Sequence, residues 1–238
     1  IVWRGLAVSG REASEEYHFG YGKAETLSGA FVALMLLSAA LGVLISSIKA
    51  IGSTHQLPEL FTLPILVSVI FVKEFLFRRV AKVAADVGSS AVKGDAWHHR
   101  SDAISSFAAL VGISIALIGG PGWETADAYA ALVCALVIGF SGVRLLRNSV
   151  AELMDKAPEQ AVLDTIKQVA AQVDGVTLVE KLLARKSGLV YFVDLHVHAN
   201  PAMSLHDAHI LSGKVKSAIK AAVPAVQGVV IHMEPEEG

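Results

Sequence analysis

The sequence predicts two unlike parts: an all-α transmembrane bundle over residues 1–155, followed by a small α+β domain over residues 156–238. Three observations lead there. The chain is 53% hydrophobic and only 18% charged, with a mean hydropathy of +0.55, whereas about a quarter of an ordinary globular domain is charged. Its charges gather in short clusters before residue 156 and scatter evenly after it. Uncharged stretches of spanning length then give way to short helix and strand periods.

The spans come first. Ser28 to Ile48 carries no charge and, as a helix, crosses about 30 Å of hydrocarbon. Leu60 to Phe77 is a second span, interrupted by Lys73 and Glu74 near its end. Ala103 to Ile118 and Ala128 to Val143 are the third and fourth, each completed by flanking residues. The connections "GSTHQLPELFT" and "GGPGWETADAY" contain no Lys or Arg, while Arg11, Lys23, Arg78, Arg79, Lys82, Lys93, Arg144 and Arg147 fall on the opposite side. That positive-inside bias places the 11–23 loop, the 78–93 connection and the C-terminal part in the cytoplasm. Lys49 is the exception and can snorkel to the outer interface. In the last span Ala131, Ala135 and Gly139 recur every four residues, a small-residue stripe whose use is close helix packing. Ile1 begins abruptly inside an apolar phrase, "IVWRGLAV", an opening that suggests further residues upstream.

The soluble part follows. Pro158 starts a helix whose apolar face is Val162, Ile166, Val169 and Val173, and Asp174-Gly175 stops it. "VTLVEKLLARKSG" and "LVYFVDLHVHANP" are two strands joined by a hairpin at Lys186-Ser187-Gly188. "SLHDAHILSGKVKSAIKAAV" is a second helix and "VQGVVIHMEP" a third strand, giving the order αββαβ with helices on one face of a sheet. A net charge of −2 without a basic run excludes nucleic acid as a partner. Cys134 is the sole cysteine, so neither a disulfide within the chain nor a CxxC metal site can form.

"GDAWHHRSDA", residues 94 to 103, places ionisable residues at the start of an apolar span, where each costs on the order of 3 kcal/mol. His98 and Asp102 are i and i+4, stacked on one helix face, with Asp95 a turn earlier. An imidazole nitrogen and a carboxylate oxygen at that spacing can share a divalent cation: Zn²⁺ first, with Fe²⁺, Co²⁺ and Cd²⁺ as competitors. Two ligands hold a metal poorly, so another helix must complete the set. His99 points about 100° away and is a bystander or a donor behind the ligands. The plainer alternative is a cluster of interfacial charges marking the cytoplasmic end of a span. In the tail, Val190, Phe192, Asp194, His196 and His198 share one strand face, and Val230, His232 and Glu234 share another. His206 and His209 are helical neighbours, so three elements each offer an imidazole. The periodicity favours metal binding over scattered solvated histidines.

"GDAWHHRSDA" resembles the fifth-helix signature of the cation diffusion facilitators, a family of metal/proton antiporters. "FGYGKAE", residues 19 to 25, resembles their loop between helices two and three, and "ELMDKAPE", 152 to 159, their join between membrane and cytoplasmic parts. The αββαβ tail resembles their metallochaperone-like domain, so the likeness covers nearly the whole chain. It implies six membrane helices, a homodimer in a bacterial inner membrane, and a four-coordinate transport site. Half of that site is HxxxD, carried to His98 and Asp102; the other half, DxxxD on helix two, has no match here. The resemblance therefore implies a chain that lacks the first helix and most of the second. It also implies a charge interlock between Lys23 and Asp155 at the dimer's membrane–cytoplasm junction, the plainer alternative being two surface charges. A binuclear cytoplasmic zinc site maps onto His196, His209, His232 and Glu234, with Glu180 where a fifth ligand is usually His. Glu234 has a longer arm than the family's Asp, and His198 and His206 have no counterpart. A further metal site in the helix two–three loop is not expected, because its ligand positions fall on Ser14, Tyr17 and Tyr21.

The function expected is efflux of a divalent transition metal by proton antiport, with Zn²⁺ as substrate at the span and as regulator at the tail. The alternative is a membrane-anchored metal sensor or scaffold that binds without transporting; DxxxD upstream would separate the two. An enzyme is not expected, since there is no HExxH and no nucleophile with an adjacent base at the HxxxD face.

Overall fold

A computed structural model describes residues 2–51, 60–87, 90–120, 123 and 125–236. It divides into two compact units, residues 1–150 and 151–238. Most of the Lys/Arg-free connection after the first long helix, residues 52–59, lies outside the described residues, as does part of the one that precedes the last span.

Among the described residues the regular elements of the first unit are all helices: α1 (Val2–Ser9), α2 (Lys23–Ile51), α3 (Thr62–Val87), α4 (Ser90–Gly119) and α5 (Ala126–Leu153), the last running on into the second unit. Among the described residues three helices are long and apolar enough to cross a membrane: Lys23–Ile51, Val92–Gly119 and Ala126–Leu153. At 28 or 29 residues each they measure about 42–44 Å, more than the hydrocarbon core requires. α3 is not among them, although its apolar first half reads as a span. Lys73, Glu74, Arg78, Arg79 and Lys82 lower its hydropathy.

Small residues set the helix contacts here, as lipid removes the hydrophobic drive between helices. A Cβ at Gly142 of α5 would sit 3.0 Å from the Leu37 side chain and 3.4 Å from the Ala33 carbonyl of α2. Leu36 and Ala40 of α2 bury together with Ile138 of α5. The small stripe of α5 serves the same contact, with Ala135 buried and Gly139 facing Ala40. At Gly112 of α4 a Cβ would come within 2.8 Å of the Asp127 backbone, which fixes the approach of α4 to α5. Ser38, Ser47, Ser105, Ser114 and Ser141 each donate to the carbonyl four residues back, so their hydroxyls are satisfied within their own helices.

The second unit follows the expected αββαβ order: α6 (Gln160–Ala171), β1 (Leu178–Ser187), β2 (Val190–Ala199), α7 (Leu205–Ala222) and β3 (Val226–Pro235). Two boundaries differ from the sequence reading. Pro158 precedes the N-cap, which is Glu159, and β1 runs through Ser187 so that the turn begins at Gly188, whose φ of 62° suits glycine. The sheet order is β1-β2-β3, with β1 and β2 antiparallel and β2 and β3 parallel across α7. Ile166 and Ala170 of α6, Leu211, Val215 and Ile219 of α7, and Val193, Leu195 and Val197 of β2 form one core on a single sheet face. Burying a residue such as Ile166 or Leu195 contributes about 1.5–3 kcal/mol. Strand alternation then turns Asp194, His196 and His198 to the other face, which the helices leave uncovered.

Candidate metal centres

On α4 the i, i+4 spacing sets His98 Nε2 3.7 Å from Asp102 Oδ2. The same oxygen accepts a hydrogen bond from Lys73 Nζ of α3 at 2.7 Å. Along the sequence Lys73 stands only as an interruption of a span; helix rotation, invisible in one chain segment, gives it this partner. Beside this pair Asp95 Oδ2 and His99 Nε2 stand 3.9 Å apart, a second i, i+4 couple one residue round the helix. His98 Nδ1 and His99 Nδ1 are buried with no hydrogen-bond partner among the described residues, so each imidazole keeps an unused nitrogen. The guanidinium of Arg100 lies 4.6 Å over the Phe77 ring and 5.8 Å from that of Trp97, which pins α4 against α3 at this level. An imidazole, a carboxylate and a tethered ammonium thus converge at the start of a span.

The tail assembles a denser group on its uncovered sheet face. Parallel pairing aligns His196 with His232 and His198 with Glu234. Glu234 Oε1 lies 2.7 Å from His196 Nδ1 and 3.5 Å from His232 Nε2, while its Oε2 lies 3.2 Å from His198 Nε2. A β-bulge between Val179 and Lys181 leaves Glu180 without a strand partner, and its carboxylate reaches His198 Nε2 at 3.4 Å. Among the described residues two sets of three ligand atoms result, each set within 4.8 Å: His196, His232 and Glu234, and Glu180, His198 and Glu234. Glu234 belongs to both. The hydrogen bond from His196 holds its carboxyl below the ordinary carboxylate range; the charges of His196 and His198 add to this, and desolvation opposes it.

Not every residue expected at the tail joins. His209, exposed on α7 with His206, is in neither set among the described residues. The reason is layering: α7 packs its Leu211, Val215 and Ile219 against the core face of the sheet, and the ligand sets occupy the other face. His198, for which the family likeness offers no counterpart, stands in the middle of the group. The signal that finds it is strand alternation, since it shares a face with His196.

Asp155 takes a left-handed backbone, φ 57°, just past α5. Its N–H donates to the Glu152 carbonyl and that of Lys156 to the Ala151 carbonyl, a Schellman ending in which Asp stands where glycine is usual. Its carboxylate lies 3.5 Å from Arg185 Nη1 of β1. Lys23 opens α2. In the loop before it, Ser14 Oγ and Tyr21 Oη are 3.2 Å apart and the rings of Tyr17 and Tyr21 lie 4.6 Å apart, so the loop positions meet as a hydroxyl and aromatic cluster.

Residues 1–154 match the family profile described as the cation efflux transmembrane domain, and residues 158–236 match the cation efflux protein cytoplasmic domain. The chain is 28% identical to the manganese efflux system protein MneP of Bacillus subtilis, over 97% of this chain and 79% of that protein. It is 31% identical to metal tolerance protein C1 of Arabidopsis thaliana, over 99% of this chain and 54% of that protein. It is 29% identical to the magnetosome protein MamB of Magnetospirillum gryphiswaldense, over 97% and 77% respectively. A solved MamM-CTD chain aligns with 33% of this chain and 98% of its own length at 26% identity, with a TM-score of 0.32.

Proposed function

Because this chain belongs to the cation efflux family, the cation diffusion facilitators, we propose that it exports a divalent transition-metal cation by proton antiport, with Zn²⁺ the foremost substrate. It is a multi-pass membrane protein of a metal-transporter family. The observation that carries the reading is the imidazole and carboxylate of His98 and Asp102 facing one another 3.7 Å apart at the start of α4. We take these two as half of the transport site, with a further helix supplying the remainder. Imidazole favours Zn²⁺, Fe²⁺, Co²⁺ or Cd²⁺ over the manganese for which the Bacillus subtilis relative is named. Coupling follows from competition, since one imidazole nitrogen cannot hold a proton and a metal together.

The tail is read as a regulatory centre in which Glu180, His196, His232 and Glu234 hold metal and His198 joins them. His209 stands outside both sets in the single chain. A functional homodimer is proposed through residues 156–238, placed in the cytoplasm by the Lys/Arg bias, with Lys23 and Asp155 as a charge interlock at its junction. The test is Zn²⁺-driven proton flux in proteoliposomes holding the protein made from its full reading frame. Substitution His98→Ala is expected to abolish the flux; unchanged flux removes His98 from the mechanism. Binding without flux in the unsubstituted protein would favour a membrane-anchored sensor or scaffold instead.

A further inference from the structure

We infer that Lys73 is a tethered cation that occupies the transport-site carboxylate when no metal is there, so that metal and Lys73 compete for Asp102. The inference rests on the reading of His98 and Asp102 as transport ligands. Its ground is that one oxygen serves both roles. Asp102 Oδ2 is the atom 3.7 Å from His98 Nε2, and it is also the atom 2.7 Å from Lys73 Nζ. A divalent ion held by His98 and Asp102 would lie about 2.0–2.2 Å from that oxygen, in the space the ammonium borders. The ammonium has no lone pair to offer a metal and repels it, so an ion arriving at that oxygen competes with Lys73 for it.

The placement on α3 also explains why a lysine follows the apolar run Pro64 to Val72. Asp102 and Lys73 are each about 70% covered, with side-chain exposures of 29% and 30%. A lone carboxylate at the start of a span is costly, and the pair keeps the empty site near neutral. Arg100, stacked on Phe77 and Trp97, holds the two helices in the register this contact needs. Metal entry then swaps one positive partner of Asp102 for another, and metal release is assisted because Lys73 retakes the oxygen. The apparent affinity for metal falls by the fraction of molecules in which the ion pair has opened.

Co²⁺ reports on this directly, because ligand-field absorption reads the bound ion. The protein made from its full reading frame is purified with the tail ligands removed by His196→Ala, His232→Ala and Glu234→Gln, and titrated with Co²⁺ alone. Lys73→Met is expected to bind Co²⁺ about tenfold tighter than this parent, with a lower KM and a lower kcat for transport in proteoliposomes. Lys73→Arg keeps the parent's affinity, and Lys73→Gln, which still hydrogen-bonds Asp102 without charge, falls between. If Lys73→Met and Lys73→Gln bind Co²⁺ no more tightly than the parent, while His98→Ala removes Co²⁺ binding, competition by Lys73 is overturned and the transport site stands. If His98→Ala binds Co²⁺ like the parent, the transport site itself falls and the inference with it.

Discussion

Replacing Glu234 with Gln keeps the shape of the side chain and takes the shared anion out of both tail sets. One carboxylate oxygen lies 2.7 Å from His196 Nδ1 and 3.5 Å from His232 Nε2, and the other lies 3.2 Å from His198 Nε2. Metal–ligand bonds of about 2.0–2.2 Å are reached from these positions by small side-chain movements. Residues that merely orient a ligand cost about 10–100-fold in metal affinity when lost. A residue that is itself a ligand in both sets must cost at least that at each, and the two sites must weaken together. His196→Ala removes a ligand from one set only and leaves Glu180, His198 and Glu234 in place. Zn²⁺ calorimetry on protein whose transport site is silenced by His98→Ala separates the cases. Glu234→Gln should lower affinity throughout, and His196→Ala should lower stoichiometry while leaving one class of site. Equal behaviour of the two variants, or binding unchanged by Glu234→Gln, would refute a shared carboxylate.

Two further outcomes follow from the tail. The native Glu234 carboxyl titrates below its unfolded value, chiefly through the His196 hydrogen bond. Its stabilising contribution is therefore complete above the unfolded value near pH 4.3 and is lost as acid carries the pH down through the native one. Pulse-labelled hydrogen exchange of β2 and β3 should show protection falling below about pH 4, and the fall should be shallower in Glu234→Gln. Leu195, 1% exposed between both helices and the neighbouring strands, should cost about 2–5 kcal/mol when replaced by Ala, read from the urea midpoint of the C-terminal unit. A loss below about 1 kcal/mol would mean that the core closes over the gap.

What could be read from the sequence follows the physics of each element. Apolar runs of spanning length and a change of period near residue 156 suffice for a helical membrane part and an αββαβ tail, because burial imposes both patterns on the chain. Alternation also predicts that His196 and His198 share a face, as do His232 and Glu234, and the parallel register sets those faces side by side. Glu180 meets His198 through a bulge, and the position of a bulge depends on strand register that no local pattern encodes. The absence of His209 from the ligand sets comes from the layer that α7 occupies, which is a tertiary choice. Lys73 is the clearest case. Its contact joins residues 29 positions apart and depends on how α3 and α4 are turned toward one another.

X-ray absorption at the zinc edge tests the central claim, that His98 and Asp102 grip the transported ion. The sample is protein with Zn²⁺ bound and the tail ligands substituted. Imidazole scattering is expected in a shell of nitrogen and oxygen at about 2.0–2.2 Å, with the imidazole signature lost in His98→Ala. A shell of oxygen alone, or one that His98→Ala leaves untouched, would contradict it.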